Sequence, residues 1–209
     1  MEEVIHAYSI NHKIKTEDSL MDDTAIVALY LNRDENAISE TEKKFGRYLT
    51  KIALNTVGNM EDCKETVNDT YLKAWNSIPP HEPQVLSTYL GKITRELSID
   101  LFRKRSRQKR QGSSYALSLS ELEECAAAPD NAGNPEQALE SKDLSEKING
   151  WLKSVPKETR DVFVGRYYFM DSVKDVAFNH DMSVSKAKVV LHRARNDLKK
   201  YLEKEGYIV

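Results

Sequence analysis

The stretch DSVKDVAFNHDMSVSKAKVVLHRARNDLKKY, Asp171 to Tyr201, decides how the rest of the chain is read. Val173, Val176 and Ala177 recur at helical spacing. After a break, Val184, Ala187, Leu191, Ala194, Leu198 and Leu202 step by three or four residues, giving a second apolar stripe of α-helical period. Asn179, His180 and Asp181 suit a turn between them, and Ser183 or Ser185 can cap the second helix by accepting a bond from an otherwise orphaned backbone N–H. The second helix is therefore predicted to start near Ser183. Opposite its stripe lie Lys186, Lys188, His192, Arg193 and Arg195. This is a helix-turn-helix pattern, in which the N-terminal half of the second helix has the geometry to enter a DNA major groove. A solvated basic surface helix would show the same pattern, so the flanking chain has to decide between the two.

Immediately upstream, Leu144, Ile148, Trp151, Leu152 and Val155 make one helix stripe. Pro156 and Lys157 open the next segment, which Val162, Phe163 and Tyr167 line. Residues 143–209 thus read as a small unit of four helices. In residues 111–142 the periodicity fades, Gly, Ser, Asn and Pro accumulate, and Glu121, Glu123, Glu124, Asp130, Glu136 and Glu140 outweigh Lys142. That composition predicts a flexible acidic linker, within which SLSELEECA has at most a helical turn. Its 32 residues would reach ~110 Å at ~3.5 Å each, enough to hold two DNA-binding modules ~20 base pairs, or ~70 Å, apart.

Residues 21–110 read as a second helical unit. Ala25, Ile26, Leu29 and Tyr30 group on one helix, and Ala37, Phe45, Leu49, Ile52 and Ala53 on the next. Gly58 interrupts, and Asn59 caps a third helix that buries Val67, Tyr71, Ala74, Trp75 and Ile78. Its other face carries Glu61, Asp62, Glu65 and Asp69. With no His beside them, and adjacent turns of one helix unable to flank a substrate, these carboxylates suit a solvated face or one presented to a basic partner protein. The loop Pro79-Pro80-His81-Glu82-Pro83 is too proline-rich for helix. A fourth stripe of Leu86, Leu90, Ile93, Leu97 and Leu101 ends in RKRSRQKR, residues 103–110, where six of eight residues are basic. Tyr89, Lys92, Arg95 and Glu96 lie between. An aromatic among cations suits single-stranded nucleic acid, whose bases stack while its phosphates follow positive charge. Residues 1–20 show weak periodicity and read as an extension.

Composition agrees with an all-α protein of two small domains. A chain of 209 residues that is 40% hydrophobic and 31% charged, with eight Gly and six Pro, argues for helices rather than a sandwich or barrel. The net charge of −2 averages over segments of opposite sign, so local charge is the useful quantity. The two cysteines, Cys63 and Cys125, have no CxxC spacing and no nearby His, which leaves neither a disulfide framework nor a zinc site. Cys63 reads as a small helix residue. No apolar run approaches a membrane span and the N-terminus lacks the order of a signal peptide, so a cytoplasmic protein without membrane insertion is expected. No Gly-rich phosphate loop, metal cluster or nucleophile–base set points to an enzyme or a cofactor.

Three segments in order carry a family resemblance that covers nearly the whole chain from about Asp22. EDCKETVNDTYLKAWNSI, YLGKITRELSIDLFRKRSR and VPKETRDVFVGRYYFMDSVKDVAFNHDMSVSKAKVVLHRARNDLKKYL resemble successive helical segments of extracytoplasmic-function sigma factors. The resemblance implies a dissociable subunit of bacterial RNA polymerase that confers promoter specificity, with no catalysis of its own. It places Asp62, Glu65 and Asp69 against the clamp helices of the polymerase's largest subunit, and implies a further polymerase contact at the flap. Tyr89, Lys92, Arg95 and Glu96, followed by Arg103, Lys104 and Arg105, fall at the −10 element, where one base leaves the stack during melting. Ser183, Ser185, Lys186, Lys188, Val189, His192, Arg193 and Arg195 fall at the −35 element. An anti-sigma factor is implied as a further partner.

The match departs from the family in three places. Glu96 stands where the family commonly has Asn, which puts a carboxylate beside melted DNA. Asn179, His180 and Asp181 replace the usual small or glycine residue of the turn. The chain begins some twenty residues before the resemblance and has no long C-terminal extension, so no added sensing domain is expected. The competing reading is a conventional helix-turn-helix regulator that binds an operator as a dimer. It accounts for the C-terminus but not for the acidic third helix, the proline loop or the basic Leu86 helix.

Overall fold

The structure, a computed structural model, describes residues 20–106, 114–123 and 135–207. Among them are nine helices and no strand: α1 (Asp23–Leu31), α2 (Asn36–Val57), α3 (Met60–Ser77), α4 (Leu86–Ser106), α5 (Ser114–Glu123), α6 (Pro135–Ser154), α7 (Lys157–Tyr167), α8 (Val173–Asn179) and α9 (Val184–Lys204). The fold is all-α. It divides into two compact units, residues 2–116 and 117–209.

In the N-terminal unit, α2, α3 and α4 pack on one another and α1 packs on α2. The caps stand where the sequence predicts. Gly58 ends α2 in the left-handed region with φ 79°, and the Asn59 side chain accepts from the Asp62 amide at 2.9 Å to start α3. The apolar core collects Ile26, Tyr30, Phe45, Leu49, Ala53, Leu86, Leu90 and Ile93. Gly91 permits the approach of α4 to α2, since a Cβ there would stand 2.6 Å from the Tyr48 hydroxyl. One row at the α3–α4 contact is polar: Thr94 donates to the Leu90 carbonyl at 2.9 Å and accepts from Thr70 at 3.1 Å. Every one of those buried hydroxyls therefore has a partner.

In the C-terminal unit, α9 packs against α6, α7 and α8. Ala187, Leu191, Ala194, Leu198 and Leu202 are buried as the stripe predicts, whereas Val184 is exposed and Val173 only half-buried. Trp151 anchors the unit: its ring meets Phe163 edge-on at 4.8 Å, and its indole N–H donates to Asp197 at 2.8 Å. The turn before α9 places Asp181 at φ 49°, a conformation Asp tolerates better than most residues, so the turn closes without the expected glycine.

The expected flexible linker over 111–142 is corrected. It contains α5 and the first turns of α6, and residues 117–123 belong to the C-terminal unit. Residues 1–19, 107–113 and 124–134 lie outside the described residues, and with them the second half of the basic run, Glu124, Cys125 and Asp130.

Candidate nucleic-acid interface

On α9 the buried stripe forces the opposite face outward, and that face is basic. Ser185, Lys186, Lys188, Val189, His192 and Arg193 are all exposed. Ser183 acts as the N-cap, its hydroxyl accepting from the Lys186 amide at 3.1 Å, so this side chain holds the helix start. Lys186 Nζ lies 2.6 Å from Glu158 on α7, an exposed pair that solvent screens and a phosphate can replace. That pairing holds the Glu158 carboxyl below its usual range, first by the hydrogen bond and then by the lysine's charge. His192 shares a 3.1 Å contact with Asn196 one turn on. Val189 is 47% exposed and sits between Lys186 and Arg193, an apolar spot amid the cations.

Arg195 departs from this set. It follows Leu191 by four residues and so lies only about 40° around the helix from the buried row. Its guanidinium donates to the Tyr167 hydroxyl at 2.7 Å and lies 3.5 Å from Glu121. It is an internal group rather than a groove-facing one.

On α4 the row predicted to meet DNA is divided. Lys92, Glu96, Arg103 and Lys104 are exposed, and Arg95 is half-buried. Tyr89 is half-buried and donates to the Ser77 hydroxyl at 2.7 Å, which ties the start of α4 to the end of α3. Glu96 lies 3.5 Å from Lys73, so the unexpected carboxylate has a local cation.

The acidic face of α3 needs a correction. Asp62 is 1% exposed, while Glu61, Glu65 and Asp69 are exposed. Asp62 accepts from the Asn59 side-chain amide at 2.8 Å and pairs with the Arg105 guanidinium near the end of α4. Asp62 therefore does not face a partner protein, and Arg105 is not an unengaged phosphate contact. The physical reason is register: Asp62, Thr66 and Thr70 share one row at spacing four, and that row lies against α4. Sequence reading missed it because the row is polar.

Phe178, the most exposed large apolar side chain described, stands out from α8. Cys63 is buried and lies 3.3 Å from the Thr50 carbonyl, a small packed residue as expected. Among the described residues no group of three His, Cys, Asp or Glu could hold a metal ion, and no helix is long and apolar enough to cross a membrane.

With this geometry in hand, the likeness to known proteins is specific. Residues 43–108, which include most of α2 and all of α3 and α4, match the family model for sigma-70 region 2. The N-terminal unit is thus of the sigma-70 class. The chain is 24% identical over 156 residues to the ECF RNA polymerase sigma factor SigE of Mycolicibacterium smegmatis, covering 75% of this chain and 58% of that protein. It is 22% identical over 170 residues to the ECF RNA polymerase sigma factor SigW of Bacillus subtilis, covering 81% and 90%. Among solved structures, CnrH in complex with the cytosolic domain of CnrY aligns with a TM-score of 0.41 at 18% identity, over 87% of this chain and 97% of that one. The matched segment is a sigma-70 region 2, and both of these relatives are ECF RNA polymerase sigma factors, which the chain resembles over three quarters or more of its length.

Proposed function

We propose that the chain binds core RNA polymerase in the cytoplasm and directs it to promoters, with the N-terminal unit at the −10 element and the C-terminal unit at the −35 element. The observation that carries the reading is the outward face of α9, where Ser185, Lys186, Lys188, Val189, His192 and Arg193 are exposed together opposite a wholly apolar stripe. Cations on such a face neutralise phosphates and pair with guanine edges. The −10 contacts fall to Lys92, Arg95, Arg103 and Lys104, with Tyr89 positioned beside them, and strand separation follows from holding a base outside the stack. Glu65 and Asp69, with Glu61, offer the clamp helices a solvated acidic face; Asp62 is withdrawn from that set. A flap contact by the C-terminal unit and an anti-sigma factor belong to the same reading and rest on the family resemblance.

Run-off transcription tests it. Core polymerase mixed with the chain should initiate from a cognate promoter and lose that activity with Glu65→Lys plus Asp69→Lys, which should also reduce core pull-down. Tight operator binding by the chain alone, with no polymerase-dependent transcript, would instead identify the dimeric regulator.

A further inference from the structure

Glu121 lies in a stretch whose composition reads as solvated linker, yet its carboxylate fills a notch in the C-terminal unit. One oxygen accepts from Arg166 Nη2 at 2.8 Å. The other accepts from Arg166 Nε at 3.2 Å and from the Tyr167 hydroxyl at 2.9 Å, and lies 3.5 Å from Arg195. This is a forked Arg–carboxylate pair reinforced by two further donors. Ser118, one turn earlier and buried, donates to the Arg166 carbonyl at 3.3 Å. Arg166 itself is 2% exposed and also donates to the Asp171 carbonyl at 3.0 Å. Burial alone would raise the Glu121 carboxyl, but hydrogen bonding to Arg166 and the charges of Arg166 and Arg195 bring it below its usual range.

The seat is polar rather than apolar. Among the described side chains of α5, Leu117 is exposed and Leu122 half-buried, while the buried one is Ser118. A helix of 10 residues is marginal in isolation, so α5 owes its order to this docking. The described attachment points are a carboxylate and a hydroxyl, groups that water can solvate once they are released.

Its release has a geometric consequence. With α5 seated, 107–113 lie between α4 and that helix and reach ~25 Å at most, to which 114–116 within the helix add ~5 Å. With α5 released, 107–134 are available and reach ~95 Å. Two promoter elements ~20 base pairs apart are separated by ~70 Å. Even with a radius of gyration of ~12 Å added for each unit, the seated form falls short of that distance.

We propose that α5 is a polar latch: Glu121 seats residues 117–123 in the notch of Arg166, Tyr167 and Arg195 in the free chain, and unseating lengthens the tether when both units engage a promoter. The latch itself stands on the contacts above; its release rests on the promoter reading. Arg195, assigned from sequence to DNA, is in this view a latch residue.

Hydrogen exchange read by mass spectrometry on the full chain tests both parts. In the free chain, amides of 117–123 should be protected, and Glu121→Gln, which removes the charge and keeps a hydrogen-bonding side chain, should speed their exchange about tenfold and more than that of the core of α7 and α9. If that variant loosens the whole unit, Ser118→Ala should give a smaller acceleration confined to 117–123. Unchanged exchange at 117–123 in the variants would overturn the latch. In a complex with core polymerase and promoter DNA, the protection of 117–123 should be lost, and its persistence would overturn release. Failure to form that complex would overturn the promoter reading and the release with it, leaving the latch to be decided by the free-chain comparison.

Discussion

Each unit of this protein spends an arginine on an internal carboxylate, and the two pairs are built the opposite way round. In the N-terminal unit the anion is buried and the cation reaches solvent: the Asp62 side chain is 2% exposed and that of Arg105 53%. In the C-terminal unit the cation is buried and the anion half-exposed: the Arg166 side chain is 3% exposed and that of Glu121 28%. The group that water cannot reach suffers when its partner is lost, because an uncompensated buried charge costs far more than a solvated one. The N-terminal pair therefore depends on Arg105, and the C-terminal pair on Glu121. The first braces two helices of one core; the second attaches a segment that can leave.

Four measurements can break or sharpen this contrast. The unfolding of each unit is separable because Trp75 reports one and Trp151 the other, so Trp75→Phe and Trp151→Phe backgrounds isolate them. The largest effect is expected from Glu121→Ala, which should destabilise the C-terminal unit by about 2 kcal/mol in urea unfolding, below the range for a fully buried pair because Glu121 keeps some solvent. The N-terminal transition should not move.

Next in size is Arg105→Ala, which should cost the N-terminal unit about 1.5 kcal/mol, moderated because the Asn59 amide still donates to Asp62. Adding Asp62→Asn to it should cost less than the sum of the two single changes, since the stranded charge is then gone. Additive single and double variants would show that the two side chains are not coupled.

Function supplies the third contrast. Lys188→Ala and Arg193→Ala should each weaken −35-dependent initiation by about tenfold, or about 1.4 kcal/mol, and lower the salt dependence of binding, while leaving stability unchanged. Arg195→Ala should do the reverse, destabilising the unit and lowering initiation only as far as folding fails. Equal loss of promoter contact from Arg195 and Arg193 would return Arg195 to the DNA face.

Acidification should give the smallest effect and act on the C-terminal unit in two stages. Burial holds the His180 imidazole below its ordinary value of 6.5, against the pull of Asp161, Asp171, Glu158 and Asp181. A depressed histidine binds protons more readily when unfolded, so stability falls as pH drops below 6.5. Glu121, also depressed, contributes fully above its ordinary 4.5, and that contribution is lost as pH falls through its folded value. Thermal unfolding followed through Trp151 should show both stages; His180→Gln should remove the first and Glu121→Gln the second.

Much of the fold is legible along the chain because its determinants are local. Asn59 and Ser183 announce helix starts through bonds to amides three residues on, and the α9 stripe is a repeat of three and four. The outward side of α9 follows from that stripe, which is why Lys188, Val189 and Arg193 stand where they were expected. Arg195 fell on the wrong side because it lies at the stripe's edge, where neighbouring elements decide exposure, and Val184 because it is the first residue of α9, at the end of the stripe. Asp62 was misread for a related reason: its row continues through Thr66 and Thr70, and buried hydroxyls bonded within their own helix leave no apolar signature.

By itself, then, the amino-acid sequence determined the helices, their caps and the all-α class, since each depends on residues within a few turns. Tertiary structure decided which charges are spent inside. Arg105 meets Asp62 across 43 residues, and Arg195 meets Glu121 across 74. Electrostatic pairing acts through space and not along the chain, so no local pattern marks which arginine a carboxylate will take.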